Sequence, residues 1–130
     1  MLFRSRRISP DEGERALTAW AGGHASPAQV RTAVRYTLEA LAEAAPGNSV
    51  EVRVPPAGVT QVIAGPRHTR GTPPNTIEMP PDVWLALATG RLRWAEAVSA
   101  HLVESSGVRA TLEGHLPVVE WPDDGITSKA

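Results

Sequence analysis

The 130-residue sequence contains no cysteine. That absence excludes disulfides, thiolate metal sites, iron–sulfur clusters and a cysteine nucleophile, and it makes the cytoplasm the default compartment. Long apolar runs are missing as well, since nothing approaches the roughly 18 to 20 residues that a membrane-spanning helix requires. Neither sign of charge is in excess: Lys and Arg number 13 against 14 Asp and Glu, a formal net charge of −1. A broad nucleic-acid-binding surface needs a basic excess on one face, and this balance argues against one. Arg4, Arg6 and Arg7 resemble the basic start of a secretion signal, but Ser9-Pro10-Asp11-Glu12 follows where an apolar stretch would be needed. No export signal is read.

Catalytic patterns are also lacking. His24, His68, His101 and His115 are scattered, with no pair at helical ligand spacing, so no metal site is expected. No Gly-x-Ser-x-Gly elbow accompanies a His and an acid, and no glycine-rich loop opens a helix in the way phosphate-binding folds require. The chain is therefore read as a non-enzyme with no catalytic residues and no cofactor.

What is present is the composition of a globular domain, 42% hydrophobic and 21% charged. The length suits one core. Residues 1–121 are read as a single domain and 122–130 as a loose tail. Ser9 with Glu12 and Ser26 with Gln29 fit capping boxes, each followed by proline at the first helical position, so two helices start there. The first ends at Gly22-Gly23. On the second, Val30, Ala33, Val34, Thr37, Leu38 and Leu41 recur at helical spacing, opposite a charged row of Arg31, Arg35, Glu39 and Glu43.

After Pro46-Gly47-Asn48 the period becomes two: Val50, Val52 and Val54 alternate with Glu51 and Arg53, as in a strand with one wet face. Val59 to Ile63 is expected to pair with it as a hairpin. A Gly/Pro-rich loop, 64–75, leads to a third short strand over Thr76–Met79. Asp82 to Thr89 reads as a helix closed by Gly90, with Trp84, Leu87 and Ala88 on one face. Arg93 to Ala100 reads as another, with Trp94, Ala97 and Val98 facing in. A strand over Leu102–Ser105 and a closing helical segment over Val108–Leu116 complete the pattern. The fold class is α+β, a small and mainly antiparallel sheet packed by helices.

The run from Asp82 to Leu92 followed by Ala95-Glu96-Ala97, with Ser105-Ser106-Gly107 beyond it, resembles the sterol carrier protein 2-like superfamily over roughly residues 27 to 117. Gly65 to Asn75 taken together with Trp84 to Leu92 is similar to a stand-alone bacterial branch of that superfamily. The sequence departs from the pattern at Pro80-Pro81, where a helix cap is expected, and at Ala100-His101, where Gly-Lys/Arg often stands. The resemblance implies non-covalent binding of a lipid-like molecule of the sterol, fatty acid or acyl-coenzyme A class in an apolar cavity, with sequestration or transfer as its use.

Two sites follow. Trp84, Leu87, Ala88, Trp94, Ala97 and Val98 form an apolar face that serves either as plain core or as a cavity wall. Arg67, His68 and Arg70 lie in the irregular loop and supply cations for the anionic head group of an amphiphile. Two alternatives stand beside lipid binding. One is an interaction or homodimerisation module with a filled cavity. The other is a small enzyme or regulatory subunit that takes a phosphorylated metabolite at the same loop; a deep polar cleft there, with a carboxylate such as Glu78 or Glu96 facing His68, would favour it.

Overall fold

A computed structural model describes residues 7–65 and 75–121. Along these residues the order of elements is α1 (Pro10–Ala21), α2 (Pro27–Ala44), β1 (Val50–Val54), β2 (Gly58–Val62), β3 (Asn75–Glu78), α3 (Pro81–Ala88), α4 (Trp94–Ser99) and β4 (Glu104–Ser106). The helix starts follow from their caps. The Ser9 hydroxyl accepts the Glu12 N–H, and at α2 the box is complete, Ser26 and Gln29 satisfying each other's backbone amides.

The strands form one sheet in the order β2-β1-β3-β4. β2 pairs antiparallel with β1 and β4 antiparallel with β3, whereas the central pair β1–β3 is parallel. Alternation divides its faces. Val50, Val52, Val54, Val62 and Ile77 are fully buried toward the helices. Glu51, Arg53 and Glu78 point the other way, where Arg53 bonds Glu51 at 2.6 Å and lies 3.9 Å from Glu78 on the neighbouring strand. The outer face is thus charged and wet, and the helices form a single second layer.

Between these layers lies one core cluster, with Leu17 from α1, Val34, Leu38 and Leu41 from α2, Trp84, Leu85 and Leu87 from α3, Ala97 from α4 and Leu112 beyond β4. Each large apolar side chain removed fully from water contributes about 1.5–3 kcal/mol. The charged row on α2 stays outside. Two of its acids are used by the segment before α1: Glu39 accepts the Ile8 N–H at 3.1 Å, and Glu43 pairs with Arg7.

Three helix ends use one device. At α1, α3 and α4 the two amides past the helix turn back to carbonyls of the last turn, as in Gly90 N–H to Leu87 and Arg91 N–H to Ala86 at α3, and His101 N–H to Val98 and Leu102 N–H to Ala97 at α4. This motif requires a left-handed residue just beyond the helix. Glycine fills it at Gly23 and Gly90; at α4 it is His101, with φ 59°. The departure at Ala100-His101 therefore preserves the turn with a residue less suited to it.

Three local expectations are corrected. The strand predicted over Leu102–Ser105 begins later, at Glu104, because the Leu102 amide is committed to closing α4. The closing helix over Val108–Leu116 does not form. Gly107 and Gly114 both take positive φ, the Arg109 amide is captured by the Asn75 carboxamide, and Thr111 Oγ1 accepts the Glu113 N–H, so side chains satisfy donors that a helix would use. Val98 is 45% exposed and does not face in. α4 has six residues, and its inward stripe is used up by Trp94 and Ala97, three positions apart.

Candidate functional site

Four of the six residues predicted to wall a cavity, Trp84, Leu87, Ala88 and Ala97, are fully buried in the core cluster. Trp84 is fixed by its polar atom as well as by packing. Its indole N–H donates to Thr37 Oγ1 at 2.8 Å, and that hydroxyl reaches the carbonyls of Ala33 at 2.7 Å and Val34 at 3.0 Å. Trp94 is half-buried at the edge of the cluster.

A groove of about 480 Å³ runs beside this edge. One wall comes from the α3–α4 turn, with Leu87, Leu92, Trp94 and Ala95; the other comes from residues 113–117, where Leu116 and Pro117 supply the apolar surface. Arg93 and Glu113 are its charged members, and both are exposed. The second wall is held at two points. Leu112 is buried in the core, and past the groove the amides of Val118 and Val119 both donate to the carbonyl of Ala88, at 2.9 and 3.3 Å. Gly90 is set by the turn and not by the opposite wall: its φ is 83°, while the position a Cβ would take there lies 3.6 Å from the Pro117 ring, an ordinary contact distance.

The predicted head-group residues Arg67, His68 and Arg70 lie outside the described residues. The chain on either side of that interval is tied to one residue, Ser49. Its hydroxyl donates to the Ile63 carbonyl at 2.7 Å, and its carbonyl accepts from Asn75 Nδ2 at 2.9 Å. Ile63 takes φ 70°, a left-handed conformation that a β-branched residue adopts only under constraint. The constraint is visible: Ile63 N–H bonds Ala45 O at 2.7 Å, and Gly47 packs so closely that a Cβ there would overlap the Ile63 carbonyl carbon and the Ala64 nitrogen.

A smaller hollow of about 310 Å³ lies between the segment before α1 and α2, beside Tyr36. Burial, and then the Glu14 charge, raise the pKa of the Tyr36 hydroxyl, which stays neutral over the physiological range. The acids lining this hollow, Glu39 and Glu43, are the ones already bonded to Ile8 and Arg7. No group of three His, Cys, Asp or Glu that could hold a metal occurs among the described residues. No helix among them is long and apolar enough to cross a membrane.

The family model described as "Bacterial SCP ortholog" matches residues 26–118, most of the chain. The chain belongs to that family. The match spans α2 through the Val118 anchor of the groove, and its limits agree within one residue with the stretch over which the sequence resembles sterol carriers. α1 lies ahead of it. No curated protein matches the sequence.

Among the expected site residues, Leu87 and Trp94 meet at the groove, while Trp84, Ala88 and Ala97 serve the packing behind it. Sequence reasoning missed the second wall. Its signal was the apolar group Leu116-Pro117-Val118-Val119, which helical spacing does not organise and which the expected closing helix obscured.

Proposed function

We propose that this member of the bacterial SCP ortholog family binds a lipid-like amphiphile without transforming it, and that the apolar chain lies in the groove between the α3–α4 turn and residues 113–117. The observation that carries this reading is the groove itself, about 480 Å³ with Leu92, Trp94, Leu116 and Pro117 among its lining. That volume falls within the range of small-molecule sites, roughly 300–1,000 Å³. The lining mixes apolar side chains with a comparable share of polar surface, Arg93 and Glu113 included, which suits a ligand with one polar end. Arg93 is placed to meet an anionic head group through charge-assisted bonds. Arg67, His68 and Arg70, outside the described residues, stay proposed contacts for an anionic head group. Sequestration and transfer then need only reversible entry of the chain.

Native mass spectrometry of the purified protein for co-purified lipid, joined to titration with a fluorescent fatty acid, tests this. A lipid adduct and saturable binding are the expected results, and Arg67→Ala with Arg70→Ala is expected to weaken the affinity for anionic amphiphiles. Absence of both adduct and binding overturns the reading. A second reading then gains, an interaction module with a filled core, which the complete burial of Trp84, Leu87, Ala88 and Ala97 favours. Its mark is a concentration-dependent dimer.

A further inference from the structure

We infer that α1 is a clasp on the groove and that Trp20 is its positioning residue. This inference rests on the groove being the binding site in its second half only; the clasp itself rests on geometry. Trp20 stands in the last turn of α1, and its indole Nε1–H donates to Asp82 Oδ1, in the first turn of α3, at 3.0 Å. The guanidinium of Arg91, just past the other end of α3, lies over the same ring, 5.6 Å from its centroid. One side chain therefore engages both ends of the helix. An eight-residue helix is about 12 Å long, a span that the indole bridges with the help of the long arginine.

The position of Arg91 gives this contact its consequence. It sits between Gly90 and Leu92, both of which line the groove. Within the turn the backbone returns to the last turn of α3, with Arg91 N–H to Ala86 O at 2.8 Å and Leu92 N–H to the same carbonyl at 3.1 Å. Trp20 adds an external hold, brought by a helix that lies outside the part of the chain matched by the family model, residues 26–118. α1 is in turn seated on α2: a Cβ on Gly13 would fall inside the Tyr36 ring, so the two helices approach closely there. Because Leu17 keeps the middle of α1 in the core, the motion belongs to its last turn: parting Trp20 from Asp82 and Arg91 would release the α3–α4 turn and widen the groove, and rejoining them would close it on a bound chain.

Three variants separate positioning from general stability. Trp20→Phe keeps an aromatic ring and removes the N–H donor. Asp82→Ala removes the acceptor, whereas Asp82→Asn keeps a neutral acceptor and loses the same charge from the first turn of α3. Amide hydrogen exchange is measured without ligand, and the release of a bound fluorescent fatty acid is followed by its own emission. Trp20→Phe and Asp82→Ala are expected to speed exchange at the Arg91 and Leu92 amides and fatty-acid release, each by about fivefold, the effect of one net hydrogen bond on an opening equilibrium. α2 amides stay protected, and Asp82→Asn stays near the wild type. Unchanged exchange in the first two variants, or an Asp82→Asn variant as fast as Asp82→Ala, overturns the clasp. Faster exchange with unchanged release overturns its control of the groove. Faster exchange in a protein whose wild type binds no fatty acid supports the clasp and overturns the binding reading instead.

Discussion

The Trp84 indole N–H donates to the Thr37 hydroxyl at 2.8 Å, with both residues fully buried. The bond joins α2 to α3 through the middle of the core, and it leaves the tryptophan's polar atom unavailable to any ligand. Thr37→Val keeps the shape and removes the acceptor, stranding a buried donor at a cost of about 1–3 kcal/mol. The urea midpoint is expected to fall with an unchanged slope. Adding Trp84→Phe removes the stranded donor, so the double variant is expected to lose less than the sum of the single variants.

Asn75 gives a pH-dependent counterpart. Its amide donates to Ser49 O at 2.9 Å while its carbonyl accepts the Arg109 N–H at 2.8 Å, and the residue is 2% exposed. Asn75→Asp keeps the acceptor, but once ionised it faces the Ser49 carbonyl with no proton to offer. Burial and that carbonyl disfavour the charged form, so the introduced carboxyl titrates higher in the folded protein than in the unfolded one. Stability is then fully present below the unfolded-state value, about pH 4, and falls as pH rises through the folded-state value. Thermal melts of variant and wild type are expected to diverge as pH rises from about 4 and to run parallel once the folded-state value is passed. A constant gap would mean that the carboxyl does not feel the Ser49 carbonyl.

At the end of α4 the structure is expected to accept an improvement. His101 holds φ 59° and is exposed, so its side chain contributes little to packing while its Cβ strains the left-handed turn. His101→Gly relieves about 1 kcal/mol of that strain and gives back part of it through the freer unfolded chain, for a net gain of about 0.5 kcal/mol. The check is a rise in melting temperature of a few degrees; a fall would show that the imidazole makes a contact worth more than the strain.

Local chemistry explains how much of this was legible. Period-two alternation over Val50–Val54 and the two Ser-Pro caps specify β1, α1 and α2 without help from distant residues, and these form as expected. The parallel pairing of β1 with β3 is different, because it depends on where a long connection returns the chain, and alternation alone does not contain it. The same holds for the groove. Its first wall is sequence-local, being the α3–α4 turn, while its second depends on Leu112 finding the core and on Ala88 offering a carbonyl to Val118 and Val119. Val98 was misjudged because a six-residue helix is too short for an apolar stripe to average over turns. The clasp was invisible for the same reason of distance: Trp20 and Asp82 are 62 positions apart.

Two positions on α4 decide whether the groove is the binding site. Ala95 is exposed and lines it, so Ala95→Trp places an indole in the space without disturbing a buried contact. Val98, 45% exposed, is not among the groove's lining, and Val98→Trp adds the same bulk there. Both substitutions are expected to leave the melting temperature within a few degrees of the wild type, since neither site is in the core. Only Ala95→Trp is expected to weaken the affinity for a fluorescent fatty acid, by about tenfold or more, equivalent to at least about 1.4 kcal/mol. The reverse pattern, with Val98→Trp blocking and Ala95→Trp silent, would move the ligand out of the groove and return the site to the α4 face that the sequence pattern first suggested. Equal weakening by both would point to a ligand that spans α4, and then Arg93, at the start of that helix and in the groove lining, would become the residue to substitute next.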